Sequence, residues 1–153
     1  IKKYPSSVEF KYWYLVNLGS WAQVYGILSA AREGVADQMK THSETIIKLN
    51  PEYRDGGGYF MLGAVHYKSP YIPFLLSWPD NDKAIQYLQK AHDIGLATLN
   101  QKIYLAKAIY KDGQTEKAKL LLNEVIKSIP NQNDLVEERD DIEEAKQLLE
   151  DLY

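Results

Sequence analysis

The sequence has 153 residues and no cysteine, which excludes disulfide bonds and thiolate metal sites and is compatible with both a reducing cytosol and a periplasm. It has no run of about eighteen or more apolar residues, so no transmembrane helix is predicted. The net charge is -3 and the basic residues are scattered, so the chain lacks the basic stripe with which proteins bind nucleic acid. Nucleic acid is therefore not an expected partner.

Patterns of catalytic residues are also lacking. The three histidines, His42, His66 and His92, do not have metal-ligand spacing, and we predict packed or surface roles for them, with His66 in a core position of its helix. No Ser-His-acid set or nucleophile elbow can be assembled. The run from Gly56 to Gly58 follows a predicted helix rather than a strand, so we expect it to permit a tight turn and close helix approach. The sequence predicts no enzyme activity, no cofactor and no metal.

A ladder of large and small residues near the C-terminal end is the clearest pattern that is present. This pattern contains a leucine followed by a small residue, Leu105-Ala106, and such a pair recurs at Leu62-Gly63 and at Leu18-Gly19. The spacings between the residues of the ladder match those of the 34-residue tetratricopeptide repeat, in which small residues let two antiparallel helices cross closely. We therefore predict an all-α fold of about three tetratricopeptide-like helical hairpins with a C-terminal capping helix. The ladder consists of Leu105, Ala106, Ile109, Gly113, Ala118, Leu122, Val125 and Pro130.

The predicted organisation is a single domain, 1-153, with repeats at about 12-53, 56-97 and 99-132 and a cap at 134-153. Comparison of the internal spacings places insertions at about 26-34 and 69-79, each between the two helices of a repeat. Leu96 stands where the second repeat would have its closing proline. The predicted helices are Ser7 to Tyr25, Val35 to Leu49, a helix ending at Lys68, Asn81 to Ile94, Leu99 to Lys111, Thr115 to Ser128 and Asp134 to Tyr153.

In repeats of this type the first helix of each hairpin lines a concave face, and the repeat register predicts which side chains reach it. The predicted lining is apolar and aromatic, with Lys107 placed to orient an acidic head group. It lacks the cluster of charged donors that holds a peptide carboxylate, which favours an apolar or mixed ligand. The alternative is that Phe60, Tyr67 and Tyr110 pack between helices. The candidate binding residues of this face are Trp13, Phe60, Tyr67, Ile103, Lys107 and Tyr110.

The second insertion is apolar and rich in proline, which argues against a regular helix throughout. Its candidate binding residues are Tyr71, Phe74, Leu75 and Trp78. A contiguous apolar loop on a small domain is typical of a surface that faces a partner, a ligand or a membrane. Three roles stay open at this point: packing against the core or groove, a protein or oligomer interface, and direct ligand contact.

Several blocks of the sequence together carry a family resemblance. They are Tyr12-Trp13-Tyr14, Asn17-Leu18-Gly19, Trp21, Leu49-Asn50-Pro51, the run from Gly56 to Gly58, Leu62-Gly63, Lys83-Ala84, Ala91 and Tyr104-Leu105-Ala106. With these residues the chain resembles the TatT family, the tetratricopeptide accessory proteins of tripartite ATP-independent periplasmic (TRAP) transporters. The resemblance implies an envelope protein that works beside a periplasmic solute-binding protein handling a small, hydrophobic organic acid. It carries no catalytic motif.

The expected function is a non-catalytic periplasmic scaffold, an accessory component of TRAP-type solute transport that binds a solute-binding protein, a hydrophobic small molecule, or both. The alternative is a tetratricopeptide-type protein-protein interaction module or a homo-oligomeric assembly module. The chain begins at Ile1 rather than Met, so we expect a preceding segment. The resemblance implies a lipid anchor on a cysteine there.

Overall fold

The computed structural model describes residues 7–95 and 97–152. Within these ranges the chain forms eight α-helices, which confirms the predicted all-α fold. None of the described helices is both long and apolar enough to cross a membrane. The helices are α1 (Val8–Tyr25), α2 (Ile27–Arg32), α3 (Val35–Leu49), α4 (Tyr53–Lys68), α5 (Asn81–Ile94), α6 (Leu99–Lys111), α7 (Thr115–Ile126) and α8 (Leu135–Asp151).

The helices divide between two compact units, residues 1–95 and 96–153, which are described separately as the N-terminal and the C-terminal unit. The bounds of α3, α5 and α6 coincide with the predicted ones. Local capping explains two of these starts. The Asp80 side chain accepts the Lys83 backbone N–H at 2.8 Å before α5, and Thr98 and Gln101 form a reciprocal capping box before α6.

In the N-terminal unit, three consecutive glycines at the start of α4 each face a different neighbouring helix. A Cβ on Gly56 would lie 3.0 Å from the backbone of α5, one on Gly57 would lie 2.7 Å from a ring carbon of Tyr12 in α1, and one on Gly58 would lie 2.8 Å from a methyl of Ile46 in α3. Any larger residue would force a neighbour to move. The prediction that this run permits close helix approach is confirmed.

The two insertions share one buried region of the N-terminal unit. The first insertion forms the short helix α2 and supplies the buried Ala31, and the second supplies the buried Leu76. Both residues belong to one apolar cluster with Ala36, Leu62 and Val65. The insertions therefore pack onto the helical core rather than extending away from it.

The C-terminal unit consists of the hairpin of α6 and α7, with α8 against both helices. The ladder read from the sequence forms the core of the hairpin, because Leu105, Ala106, Ala118, Leu122 and Val125 are all buried. The cap α8 adds the buried Ala145. A local pattern with helical period thus identified the packed face of this unit correctly.

Candidate functional site

Two polar side chains on the predicted ligand-facing side of α6 contact the capping helix α8. Ile103 is 0% exposed, the ammonium of Lys107 pairs with the Glu144 carboxylate of α8, and Asn100 Nδ2 donates to Asp141 Oδ1 at 3.1 Å. Ile103 is closed to a ligand, contrary to the prediction, because its side chain is fully buried. Lys107 is engaged by α8, and its contact with a ligand stays a prediction.

Two further observations complete this part of the C-terminal unit. Partial burial beside α6 raises the pKa of Asp141, and the amide of Asn100 partly offsets the effect. Tyr110, the last of the predicted lining residues in this unit, is exposed. The C-terminal unit therefore presents one exposed ring and no apolar lining in the described region of α6.

In the N-terminal unit the predicted lining is only partly open. Trp13 is 43% exposed, whereas Phe60 and Tyr67 are half-buried and interact with other residues of the chain. A recess of about 270 Å³ on α4 and α5 is lined by a different set of residues, Tyr59, Lys90, Asp93 and Ile94. Of the three predicted lining residues in this unit, Trp13 is the most exposed.

The second insertion is held by a short antiparallel backbone bridge. Ile72 N–H donates to Leu76 O and Leu76 N–H donates to Ile72 O, both at 2.8 Å, and Leu75 N–H donates to Ile72 O at 3.2 Å. The Leu76 side chain is buried in the cluster that it shares with Ala31. These contacts close residues 72–76 into a compact turn fixed to the core.

Trp78 holds the other side of the insertion. Its Nε1 donates to Asp37 Oδ1 at 2.7 Å, its ring meets His66 edge to face at 4.9 Å between centroids, and Lys40 Nζ lies 5.3 Å from the ring centroid. His66 is buried, as predicted, and burial lowers its pKa. Trp78 was a candidate binding residue in an insertion for which packing, an interface and ligand contact were all left open; in the structure its side chain packs the insertion against the helices.

The remaining candidates of the insertion point outward. Tyr71 is 65% exposed, Leu75 is 50% exposed and Phe74 is fully exposed; we refer to these three residues as the loop tip. Phe74 has a φ of 64°, a left-handed conformation that costs about 1–2 kcal/mol for an L-residue other than glycine. The insertion thus has two sets of side chains. Leu76 and Trp78 pack against the helices, and the loop tip faces solvent.

A second exposed surface lies where the N-terminal half of α1 meets the start of α4. The Arg54 Cζ atom lies 4.9 Å from the ring centroid of Trp13 and 5.5 Å from that of Tyr12. Tyr12 meets Trp13 edge to face at 5.8 Å and meets Tyr53 at 5.6 Å. We name Tyr12, Trp13, Tyr53 and Arg54 the aromatic–arginine cluster.

The backbone at the start of α4 positions the arginine of this cluster. Arg54 and the following Asp55 both have left-handed conformations, with φ of 47° and 53°, and Gly56 continues at 77°. Two consecutive non-glycine residues in this region store strain that the surrounding structure must maintain. The resulting kink places the guanidinium over the two rings of α1.

The charge of Arg54 is not neutralised within the described part of the chain, where no carboxylate forms an ion pair with it. Arg54 is exposed, and a stacked guanidinium keeps its N–H donors at its edge. Burial raises the pKa of Tyr12, and the nearby Arg54 partly offsets the effect. The cluster therefore offers two partly buried tyrosine rings, an exposed indole and an unpaired cation with a fixed orientation.

The sequence prediction included Trp13 but missed Tyr12, Tyr53 and Arg54. Arg54 lies in the segment that was assigned to a turn between repeats, and helical periodicity gives no information on such a segment. The available signal was compositional, because aromatic residues next to an arginine are typical of protein interfaces. Comparison with protein-family models and with curated protein sequences gives no match, so the TatT assignment stays a prediction from resemblance.

Proposed function

We propose that the chain is a non-catalytic periplasmic scaffold, an accessory component of TRAP-type solute transport, and that its aromatic–arginine cluster binds the solute-binding protein. The composition of the cluster supports this proposal, because Trp, Tyr and Arg are the residues most enriched among those that dominate binding energy at protein interfaces. The transport context and the periplasmic location rest on the TatT resemblance.

Arg54 defines the chemistry that the partner would supply. A planar guanidinium forms two parallel hydrogen bonds with a carboxylate, and its stacking on Trp13 and Tyr12 reduces the side-chain entropy that binding would otherwise cost. The expected complementary surface carries a carboxylate beside a flat apolar area that covers the indole of Trp13.

The recess on α4 and α5 is not the site that we assign to a hydrophobic small molecule. Its volume of about 270 Å³ lies just below the roughly 300–1,000 Å³ of pockets that enclose drug-sized ligands, and its lining includes the charged side chains of Lys90 and Asp93. A hydrophobic small molecule stays part of the proposal, without a recess assigned to it.

The experiment measures the affinity of the chain for the solute-binding protein of a TRAP transporter from the same organism, immobilised on a sensor surface. Arg54→Ala and Trp13→Ala should each weaken binding by about tenfold or more, as truncation of a dominant interface residue does. Arg139→Ala is the matched control, because Arg139 is also an exposed arginine but lies on α8. Circular dichroism should show unchanged helicity in all three variants.

The proposal fails if wild type and Arg54→Ala bind the solute-binding protein equally, or if wild type does not bind it. The location is tested separately by fractionating cells that express the full-length gene product. Release with the periplasmic contents or recovery with the envelope membranes would agree with the proposal. Recovery with the cytosol would remove the transport context.

A second candidate function, homo-oligomeric assembly, is favoured by the corner between α1 and α2. Val24, Tyr25 and Leu28 are all exposed there, and the Tyr25 ring stacks on Trp21 at 4.6 Å between centroids. If this corner joins copies of the chain, Leu28→Glu should shift the sedimentation coefficient to that of a monomer. A sedimentation coefficient equal to that of wild type would exclude this surface.

A further inference from the structure

The loop tip of Tyr71, Phe74 and Leu75 has no role in the aromatic–arginine cluster. We infer that the loop tip inserts into the interface of a lipid bilayer and thereby holds the N-terminal unit against a membrane surface. The inference does not depend on the proposed transport partner. Three properties of the insertion support it: its lack of charge, its small number of backbone donors and its rigid attachment.

The segment from Ser69 to Pro79 contains no charged residue, although 25% of the whole chain is charged. A solvent-facing loop of a soluble protein normally carries charge, and charged groups are the ones that a bilayer admits at the highest cost. Tyr71 has the amphipathic ring that is enriched at the headgroup level of membranes. The composition of the insertion thus agrees with a lipid environment more than with water.

Backbone polarity is the second requirement for entry into lipid, because an N–H or C=O group without a partner is costly there. The N–H groups of Ile72, Leu75 and Leu76 are all hydrogen-bonded within the turn. Pro70 and Pro73 have no N–H group. Five of the seven residues from 70 to 76 therefore have no free N–H group. The N–H groups of Tyr71 and Phe74, and the carbonyl groups outside the bridge, are left for the polar headgroup region.

The tip is also held rigidly. Leu76 is buried in the core and Trp78 is bonded to Asp37, so the side chains of the tip are presented without an ordering step. Phe74 keeps a left-handed backbone while its side chain contacts solvent. The bridge and the buried Leu76 hold this conformation, but the Phe74 side chain gains no burial from it, which is the pattern expected when a side chain serves an external contact.

The exposed area distinguishes a bilayer from a protein partner. An aromatic side chain buries about 150–250 Å² when it is covered completely, so the three side chains of the tip offer a few hundred Å². A stable protein interface takes about 800 Å² from each partner. A bilayer requires no complementary shape, and each apolar group that enters it makes the free energy of binding more favourable. The lipid surface is therefore the occupant that the geometry favours.

The absence of native cysteine allows one site to be labelled at a time with an environment-sensitive dye. Phe74→Cys carries the dye at the tip, and Ile129→Cys carries it at a matched position, because Ile129 is an apolar residue that is 92% exposed in the C-terminal unit. With vesicles of phosphatidylcholine, we expect a blue-shifted emission and quenching by spin-labelled lipid at position 74 and neither at position 129.

Vesicle flotation of unlabelled protein provides the second measurement. Phe74→Asp should reduce the vesicle-bound fraction by about tenfold or more, since one fully apolar ring is replaced by a charge, and Ile129→Asp should bind as wild type does. Phe74→Asp should fold normally because the Phe74 side chain is fully exposed and Asp tolerates left-handed backbone. Circular dichroism checks this.

Each of three results would overturn the inference. The first is no vesicle binding by wild type, and the second is equal flotation of Phe74→Asp and wild type. The third is a spectral shift at position 74 that occurs without vesicles and grows with protein concentration, because it would assign the tip to a protein contact. None of these results depends on the solute-binding protein, so the two proposals can fail independently.

Discussion

Gly63 determines how closely α4 approaches α5, and replacing it by alanine tests the helix packing of the N-terminal unit. A Cβ at this position would lie 2.6 Å from Leu88 Cγ and 3.0 Å from the Leu88 backbone nitrogen. Leu88 is buried, so its side chain has no open space to move into. The helices must separate or Leu88 must leave its rotamer, and both responses disturb the core.

The expected magnitude follows from two opposing effects. Overpacking a well-filled core costs about 1–3 kcal/mol, whereas replacing glycine by alanine inside a helix gains about 1 kcal/mol. The clash includes a backbone atom, which cannot rotate away, so the cost should lie in the upper part of its range. We expect Gly63→Ala to lower the free energy of unfolding by about 1–2 kcal/mol.

Gly19→Ala is the matched control, because Gly19 holds the corresponding position of the Leu-Gly pair in α1 but its nearest neighbour, Met39 Cε, would lie at an ordinary 3.6 Å. This variant should gain up to about 1 kcal/mol. Urea unfolding followed by tryptophan fluorescence measures both changes, since all three tryptophans lie in the N-terminal unit. Equal stability of the two variants would refute the packing argument, and Leu88→Ala should reduce the penalty of Gly63→Ala.

Three further predictions concern other contacts. Trp78→Phe removes the hydrogen bond to Asp37 and should cost about 1 kcal/mol in urea unfolding, with faster proteolysis of the insertion; unchanged proteolysis would contradict its anchoring role. Burial lowers the pKa of His66 below its ordinary 6.5, so the unfolded chain binds a proton more tightly than the folded chain does. The free energy of unfolding should therefore fall as the pH drops from about 6.5 toward the lowered pKa, and His66→Gln should flatten this pH dependence. Thr98→Ala removes the capping box with Gln101 and should cost about 1 kcal/mol, measured as faster hydrogen exchange at the start of α6.

Helical periodicity sufficed to predict most of the fold. The buried face of α6 and α7 follows from the spacing of residues such as Leu105, Ala118 and Leu122, because these contacts join neighbouring helices of one hairpin. Ile103 was assigned to the ligand-facing side by the same reasoning, because its position in the helical repeat falls outside the core face of the hairpin. The period within one hairpin cannot show that Ile103 is fully buried or that α8 engages Asn100 and Lys107, because α8 lies far from α6 in the sequence.

The candidate surfaces were harder to predict because they depend on backbone conformations that leave no periodic signal. The orientation of Arg54 depends on left-handed backbone at Arg54 and Asp55. Aspartate adopts this conformation more readily than most residues, but arginine does not, so the sequence gives no signal for it at Arg54. The division of the insertion into packed and exposed side chains depends on the bridge between Ile72 and Leu76. Composition marked the insertion as a candidate site, but it could not show which of its aromatic residues face outward.

Strain connects the two proposed surfaces. Within the described residues, the non-glycine residues with positive φ are Arg54, Asp55 and Phe74. The side chain of Arg54 in the cluster and that of Phe74 in the loop tip are both exposed. For Arg54 and Phe74 this conformation costs about 1–2 kcal/mol each, a substantial share of the 5–15 kcal/mol that typically stabilises a domain. Strain of this kind in a core would be offset by packing, but neither of these two side chains is buried. The close packing of the run from Gly56 to Gly58 and the bridge between Ile72 and Leu76 hold these two backbones in place, so contacts within the chain maintain the strain while the side chains that it orients stay open to a partner.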